Sequence, residues 1–95
     1  MKYNGWTNWE TWNFKLWLDN DEITYKIANK IAETSSDVYE ASEKLEAWAE
    51  VMAWSVNKHV ENDSTILGFI TDVINSSIKE VNFYEIAEHL QEELN

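Results

Sequence analysis

Apolar residues recur along this chain at the spacing of helices. Between Val38 and Val60, the residues Val38, Ala41, Leu45, Trp48, Met52, Val56 and Val60 form one continuous stripe at steps of three and four. Such a stripe marks an amphipathic helix, and it predicts a long third helix over about Asp37 to Asn62. Ahead of it, Ile23, Ile27 and Ile31 recur at i, i+4, i+8 and predict a second helix, Glu22 to Thr34. Behind it, Ile66, Ile70, Val73, Ile74 and Ile78 predict a fourth helix, about Ser64 to Val81. Phe83, Ile86, Leu90 and Leu94 predict a last helix with those four side chains inward.

The breaks between helices are polar clusters, because the chain has no proline and only two glycines, Gly5 and Gly68. Thr7 with Glu10 has the spacing of a capping box, in which hydroxyl and carboxylate satisfy each other's backbone N–H groups. It predicts a first helix from Thr7 to about Leu18, with Gly5 allowing the sharp turn before it. Asp19-Asn20-Asp21 ends that helix. Ser35, Ser36 and Asp37 break the second and cap the third, and Asn82 with Glu85 forms a further capping box. Runs of β-branched residues between turn signals are missing, so no sheet is expected. The pattern predicts an all-α protein: a single domain, residues 1–95, folded as a compact bundle of about five helices with one long central helix.

The first helix breaks the amphipathic rule. The stretch YNGWTNWETWNFKLWLDND carries four of the six tryptophans. At about 100° per residue, Trp9, Trp12 and Leu16 share one face, Phe14 and Leu18 point to the other side, and Trp17 lies between. A helix that is apolar most of the way round is buried on more than one side or holds one face for a partner. Filling of a small core is the expectation, ahead of an exposed aromatic binding face. Trp6 is placed to staple this helix by packing one turn in. Asn4, Asn8 and Asn13 are expected to tie loops and caps.

Charge changes the picture more than size does. Eighteen acids against seven bases give a net charge of −11. That opposes direct binding to nucleic acid or to an anionic membrane. It favours a basic protein surface, including one that ordinarily holds nucleic acid. The absence of cysteine excludes disulfides and thiolate metal sites and suits a cytoplasmic protein. MKYNGW has no apolar run after its lysine, so no secretory signal is expected. No stretch approaches the roughly 20 apolar residues of a membrane span.

The motif NGWTNWETWNFKLWLDNDE, together with FYEIAEHL near the C-terminus, resembles a family of small proteins of bacteriophages, mobile elements and some bacterial and archaeal genomes. The two motifs cover about a third of the chain, at its two ends; the middle, from about Ile27 to Val81, does not match the pattern. The resemblance implies a small helical fold in a phage or mobile-element setting and no known enzyme activity. Physically, the paired motifs suggest that the two ends dock, with Trp9 and Trp12 against Phe83, Ile86 and Leu90.

Chemistry-bearing constellations are sparse. His59 with Asp63 has i, i+4 spacing; His89 has Glu85 at i−4 and Glu93 at i+4. Zinc requires three or four ligands, mostly nitrogen or sulfur, so solvated helix faces are expected, with no metal and no cofactor. No carboxylate pair, activated serine or glycine-rich phosphate loop stands out, and no enzyme is expected. The third helix offers the most suggestive surface. Glu43, Glu50 and Glu61 lie close to one line, Glu46 sits beside it, and Trp54 falls on it. Glu43 to Glu61 spans about 27 Å at about 1.5 Å per residue. Such a ridge can occupy a basic groove, its carboxylates standing in for phosphates and its indole acting as an anchor. The competing picture packs Trp54 against the second or fifth helix and leaves the glutamates in water.

The expected function is therefore a small acidic accessory protein, phage-type, that binds and inhibits a host nucleic-acid-handling enzyme in the host cytoplasm. A CRISPR effector or a restriction complex is the expected target. The alternative is a non-enzymatic adaptor, self-associating as a homodimer through the tryptophan-rich first helix.

Overall fold

The computed structural model describes residues 2–59 and 74–94, with side chains through residue 53 in the first span. Five helices are described: α1 (Trp9–Asn20), α2 (Glu22–Thr34), α3 (Val38–His59), α4 (74–80) and α5 (Phe83–Leu94). The protein is an all-α bundle, as the spacing predicts. The expected stretches beyond His59, with Val60, Glu61, Ile66, Ile70 and Val73, lie outside the described residues.

The helices α1, α2, α3 and α5 each start where a short polar side chain accepts from the first free N–H groups. Asp21 ends α1 and caps α2 at once, its carboxylate accepting from the N–H groups of Ile23 and Thr24. One residue thus serves as the whole joint between two helices. At the far end of α2, the hydroxyls of Thr34 and Ser35 donate back to the carbonyls of Lys30 and Ile31. Asp37 caps α3 by accepting from Glu40 N–H at 2.8 Å, and Glu40 reaches back to Ser36. Asn82 caps α5, accepting from Glu85 N–H at 3.0 Å.

The start of α1 departs from the expected capping box. Asn8, with extended backbone, is its cap and accepts from the Thr11 N–H. Thr7 sits outside the helix and donates its own N–H to Glu85 Oε1 at 2.9 Å, across the molecule. Before it, Asn4 (φ 47°) and Gly5 (φ 88°) are both left-handed, and Tyr3 and Trp6 exchange two backbone hydrogen bonds of 2.7 and 2.8 Å. Left-handed geometry at both central residues defines a type I′ turn, for which Asn-Gly is the preferred pair.

Alanine builds much of the core. Of the eleven buried hydrophobic residues among those described, Ala28, Ala32, Ala41, Ala49, Ala53 and Ala87 make up six. Small residues let helix axes approach closely, and larger side chains then fit only at the seams, where Leu18, Leu45, Phe83, Ile86 and Leu90 sit. This is why α2 turns Ala28 and Ala32 inward and leaves Ile23 exposed and Ile27 partly so, contrary to the expected isoleucine stripe. Only Ile31 of that stripe packs on the core. Leu94, also expected inward, is exposed beyond the last turn that α5 buries. In α3 the predicted stripe holds through Trp48: Ala41 and Leu45 are buried, and Val38 and Trp48 pack against the core; beyond it Ala49 and Ala53 are buried in place of Met52, which is half-buried.

Packing is layered. α5 touches α1, α2 and α3, and its seam with α3 is the most extensive. α1 and α3 both touch α2 and α5 but not each other, so they flank that pair on opposite sides.

Candidate functional site

Two surfaces result from this arrangement, one on each flank. The first is the outer face of α3. Ala41, Leu45, Ala49 and Ala53 point into the bundle; Glu43 and Glu50 stand exposed on the far side, and Glu46 is exposed at its edge. Tyr39, also exposed, precedes Glu43 by one turn and extends the line. Three carboxylates over about 10 Å approach the charge density of one DNA strand, one phosphate per about 3.4 Å. Lys44 does little to neutralise them, because it pairs with Glu40 at 3.0 Å. The Lys44 ammonium and the Ser36 hydroxyl and N–H hold the Glu40 carboxyl below its ordinary value. Glu50 also lines a shallow depression of about 260 Å³ with Ala53, Asn75, Ile78 and Lys79, between α3 and α4. Trp54 belongs to α3 by its backbone, but its side chain lies outside the described ones. Glu61 lies outside the described residues altogether.

The second surface is the outer face of α1, and here the structure corrects the expected burial. The residues α1 buries are Thr11, Lys15 and Leu18. Trp9 is 46% exposed, Leu16 40% and Trp17 68%. The helix has turned a threonine and a lysine inward and Trp9 and Trp17 outward, with Trp12 half-buried. Each inward polar group has its partners. The Thr11 hydroxyl donates to Asn8 Oδ1 at 2.6 Å and accepts from the Asn82 N–H at 2.8 Å. The Lys15 ammonium donates to both oxygens of Asp19, at 2.7 and 2.9 Å, and to Glu93 at 3.1 Å. Burial by itself lowers the Lys15 pKa; the hydrogen bonds and charges of Asp19 and Glu93 more than offset this and leave it raised.

The two ends of the chain do dock, though through other residues than Trp9 and Trp12. Phe14 meets Phe83 edge-on with centroids 5.4 Å apart. Trp6 does not staple α1; it lies against the His89 ring at 4.2 Å. Asn8 donates to the Glu80 carbonyl at 2.7 Å, and Asn82 Nδ2 donates to the Thr7 hydroxyl at 3.3 Å. The expected Asn82–Glu85 box is therefore half internal. Asn82 caps Glu85 as predicted, while the Glu85 carboxylate and the Asn82 N–H both turn to the N-terminal segment. Trp12, freed from the seam, stands beside Tyr3 with centroids 5.0 Å apart and planes at 58°. Tyr3 carried no signal by residue type; the Asn4-Gly5 dipeptide that places it was the readable one.

Among the described residues, no group of three or more His, Asp or Glu side chains is placed to hold a metal. The set around His89 is used otherwise: its ring lies on Trp6, Glu85 bonds Thr7, and Glu93 bonds Lys15. The His59–Asp63 pair lies outside the described side chains. No described helix is long and apolar enough to cross a membrane.

The described residues form a small acidic helical bundle whose two ends are fastened to each other. The chain belongs to a family of unknown function (DUF7249), whose model matches residues 1–95. Neither a curated protein nor a solved structure matches it.

Proposed function

We propose that this protein is a small acidic inhibitor that acts by binding, without catalysis, a host nucleic-acid-handling defence enzyme of the CRISPR-effector or restriction class. It occupies the enzyme's basic groove with the outer face of α3, in the host cytoplasm and in the phage or mobile-element setting that its paired motifs imply. The observation that carries this is the exposure of Glu43, Glu46 and Glu50 within two turns of α3, in a chain of net charge −11. An unneutralised carboxylate line attracts a lysine- and arginine-lined groove from a distance and repels nucleic acid. The test is nuclease activity in host extract, with wild-type protein and with the Glu43→Lys, Glu46→Lys, Glu50→Lys variant. Wild type should inhibit, and the variant should not. Inhibition should also fade as salt shortens the screening length from about 10 Å at 0.1 M to about 3 Å at 1 M. Equal inhibition by the variant would reject the acidic-face mechanism.

The outward aromatic face of α1 favours a second role, a non-enzymatic adaptor that holds a protein partner there. Its exposure is what a core-filling helix would lack.

A further inference from the structure

We propose that Tyr3, Trp9, Trp12, Leu16 and Trp17 form an interaction surface for an arginine-bearing segment of a basic protein, and not for a second copy of this chain; this rests on the adaptor role. Three observations converge on it. The face is apolar and open, although α1 has enough apolar side chains to have turned them inward; Thr11 and Lys15 take the buried positions instead. The rings are held in place, since the Asn4-Gly5 turn sets Tyr3 against Trp12 at 58°. Trp9 and Leu16, both exposed, lie one turn before and after Trp12 on the same face.

Charge selects the occupant. From Lys2 to Lys26 the chain carries Glu10, Asp19, Asp21 and Glu22; Asp19 pairs with Lys15 and Glu22 with Lys26, which leaves Glu10 and Asp21 without an ion pair among the described residues. Lys15 is buried and paired, so it presents no ammonium to a visitor. Indole and phenol faces attract cations through their quadrupoles, and arginine most often. A guanidinium also stacks flat on such rings while its N–H groups reach neighbouring carboxylates. A second copy brings the same charge of −11 and the same carboxylates to the contact, and like charges across an interface suppress association. This surface lies on the opposite flank from the α3 carboxylates, so the two can be occupied independently.

The test uses the full chain, labelled with nitrogen-15, titrated with a synthetic arginine-glycine repeat peptide. Lysine-glycine and glutamate-glycine peptides of the same length serve as comparisons. The six tryptophan indole N–H signals report position. The arginine peptide should shift the Trp9, Trp12 and Trp17 signals and leave Trp6, which lies against His89, unmoved. Trp17→Ala and Trp9→Ala should each weaken binding by about two- to fivefold, the worth of one exposed cation–π contact. The lysine peptide should bind more weakly, and the glutamate peptide not at all. The Glu43→Lys, Glu46→Lys, Glu50→Lys variant should bind as wild type does. Equal binding of arginine and lysine peptides, or loss of binding in the α3 variant, would overturn the proposal in favour of unspecific charge attraction. Concentration-dependent shifts of Trp9 and Trp17 without peptide would overturn it in favour of a second copy, leaving the adaptor role standing. Silence of these signals under every condition would remove both.

Discussion

Thr11 is the point at which the two ends of the chain meet, and replacing it measures how firmly they are joined. Its hydroxyl is wholly buried and serves two partners 74 residues apart in sequence, Asn8 Oδ1 and the Asn82 N–H, at 2.6 and 2.8 Å. Thr11→Val keeps the shape and removes both bonds. Asn8 retains the Thr11 N–H as a donor, so the heavier loss falls on Asn82, whose N–H is left facing a methyl group. Stranding a buried donor costs about 1–3 kcal/mol, and the complete burial of Thr11 places this site near 2 kcal/mol. In a domain of this size about 1 kcal/mol moves the melting temperature by about 4–8 °C, so a fall of roughly 8–16 °C is expected. Thr11→Ser keeps the hydroxyl and deletes one buried methyl, at about 1 kcal/mol. Thermal unfolding followed by circular dichroism gives the ranking, wild type above Ser above Val. Hydrogen exchange at the Asn82 amide gives the mechanism, with protection lost in Val and kept in Ser. A Val variant melting within about 2 °C of wild type would refute the junction, as would a Ser variant no better than Val.

Lys15→Met should leave stability within about 1 kcal/mol of wild type, because Asp19 and Glu93 are 40% and 47% exposed and regain water once the ammonium is gone. The folded-state pKa of Lys15 lies above its ordinary 10.5, so its contribution is complete below that value and lost as pH rises through the folded one. Melting of wild type should therefore fall relative to Lys15→Met as pH rises above 10.5, and a constant difference would contradict the paired, charged state. Trp17→Ala should change stability by no more than about 0.5 kcal/mol, as exposed positions do. Phe14→Ala, which removes the edge contact with Phe83, should cost about 2–3 kcal/mol in urea unfolding. Equal effects would mean that α1 is oriented otherwise.

Much of the fold was legible because it is local. The bounds of α2 follow from Asp21 and Ser35, residues adjacent to the helix they limit. The α3 stripe follows from a period that needs no knowledge of neighbours. The acidic face was legible for the same reason: once Ala41, Leu45 and Ala49 point inward, helical geometry sends Glu43, Glu46 and Glu50 outward. The α2 isoleucines misled because periodicity marks an apolar stripe without revealing that neighbouring helices approach too closely to admit it. Thr7 misled because its spacing to Glu10 fits a capping box, while the competing acceptor, Glu85, lies 78 residues away.

The sequence by itself determined that the chain is helical, where most helices start, and that its surface is strongly acidic. Each of these depends on residues within one or two turns of one another, or on a sum over the whole chain. Only the tertiary structure decided which side of α1 faces the core. Apolar groups surround that helix, so its own pattern allows several orientations with similar apolar burial. Buried polar partners broke the tie. Asn82, at the start of α5, and Glu93, at its end, offer Thr11 and Lys15 the bonds that let them lie inward without an unsatisfied polar group. The aromatic face is outward because the polar side of α1 has somewhere specific to go.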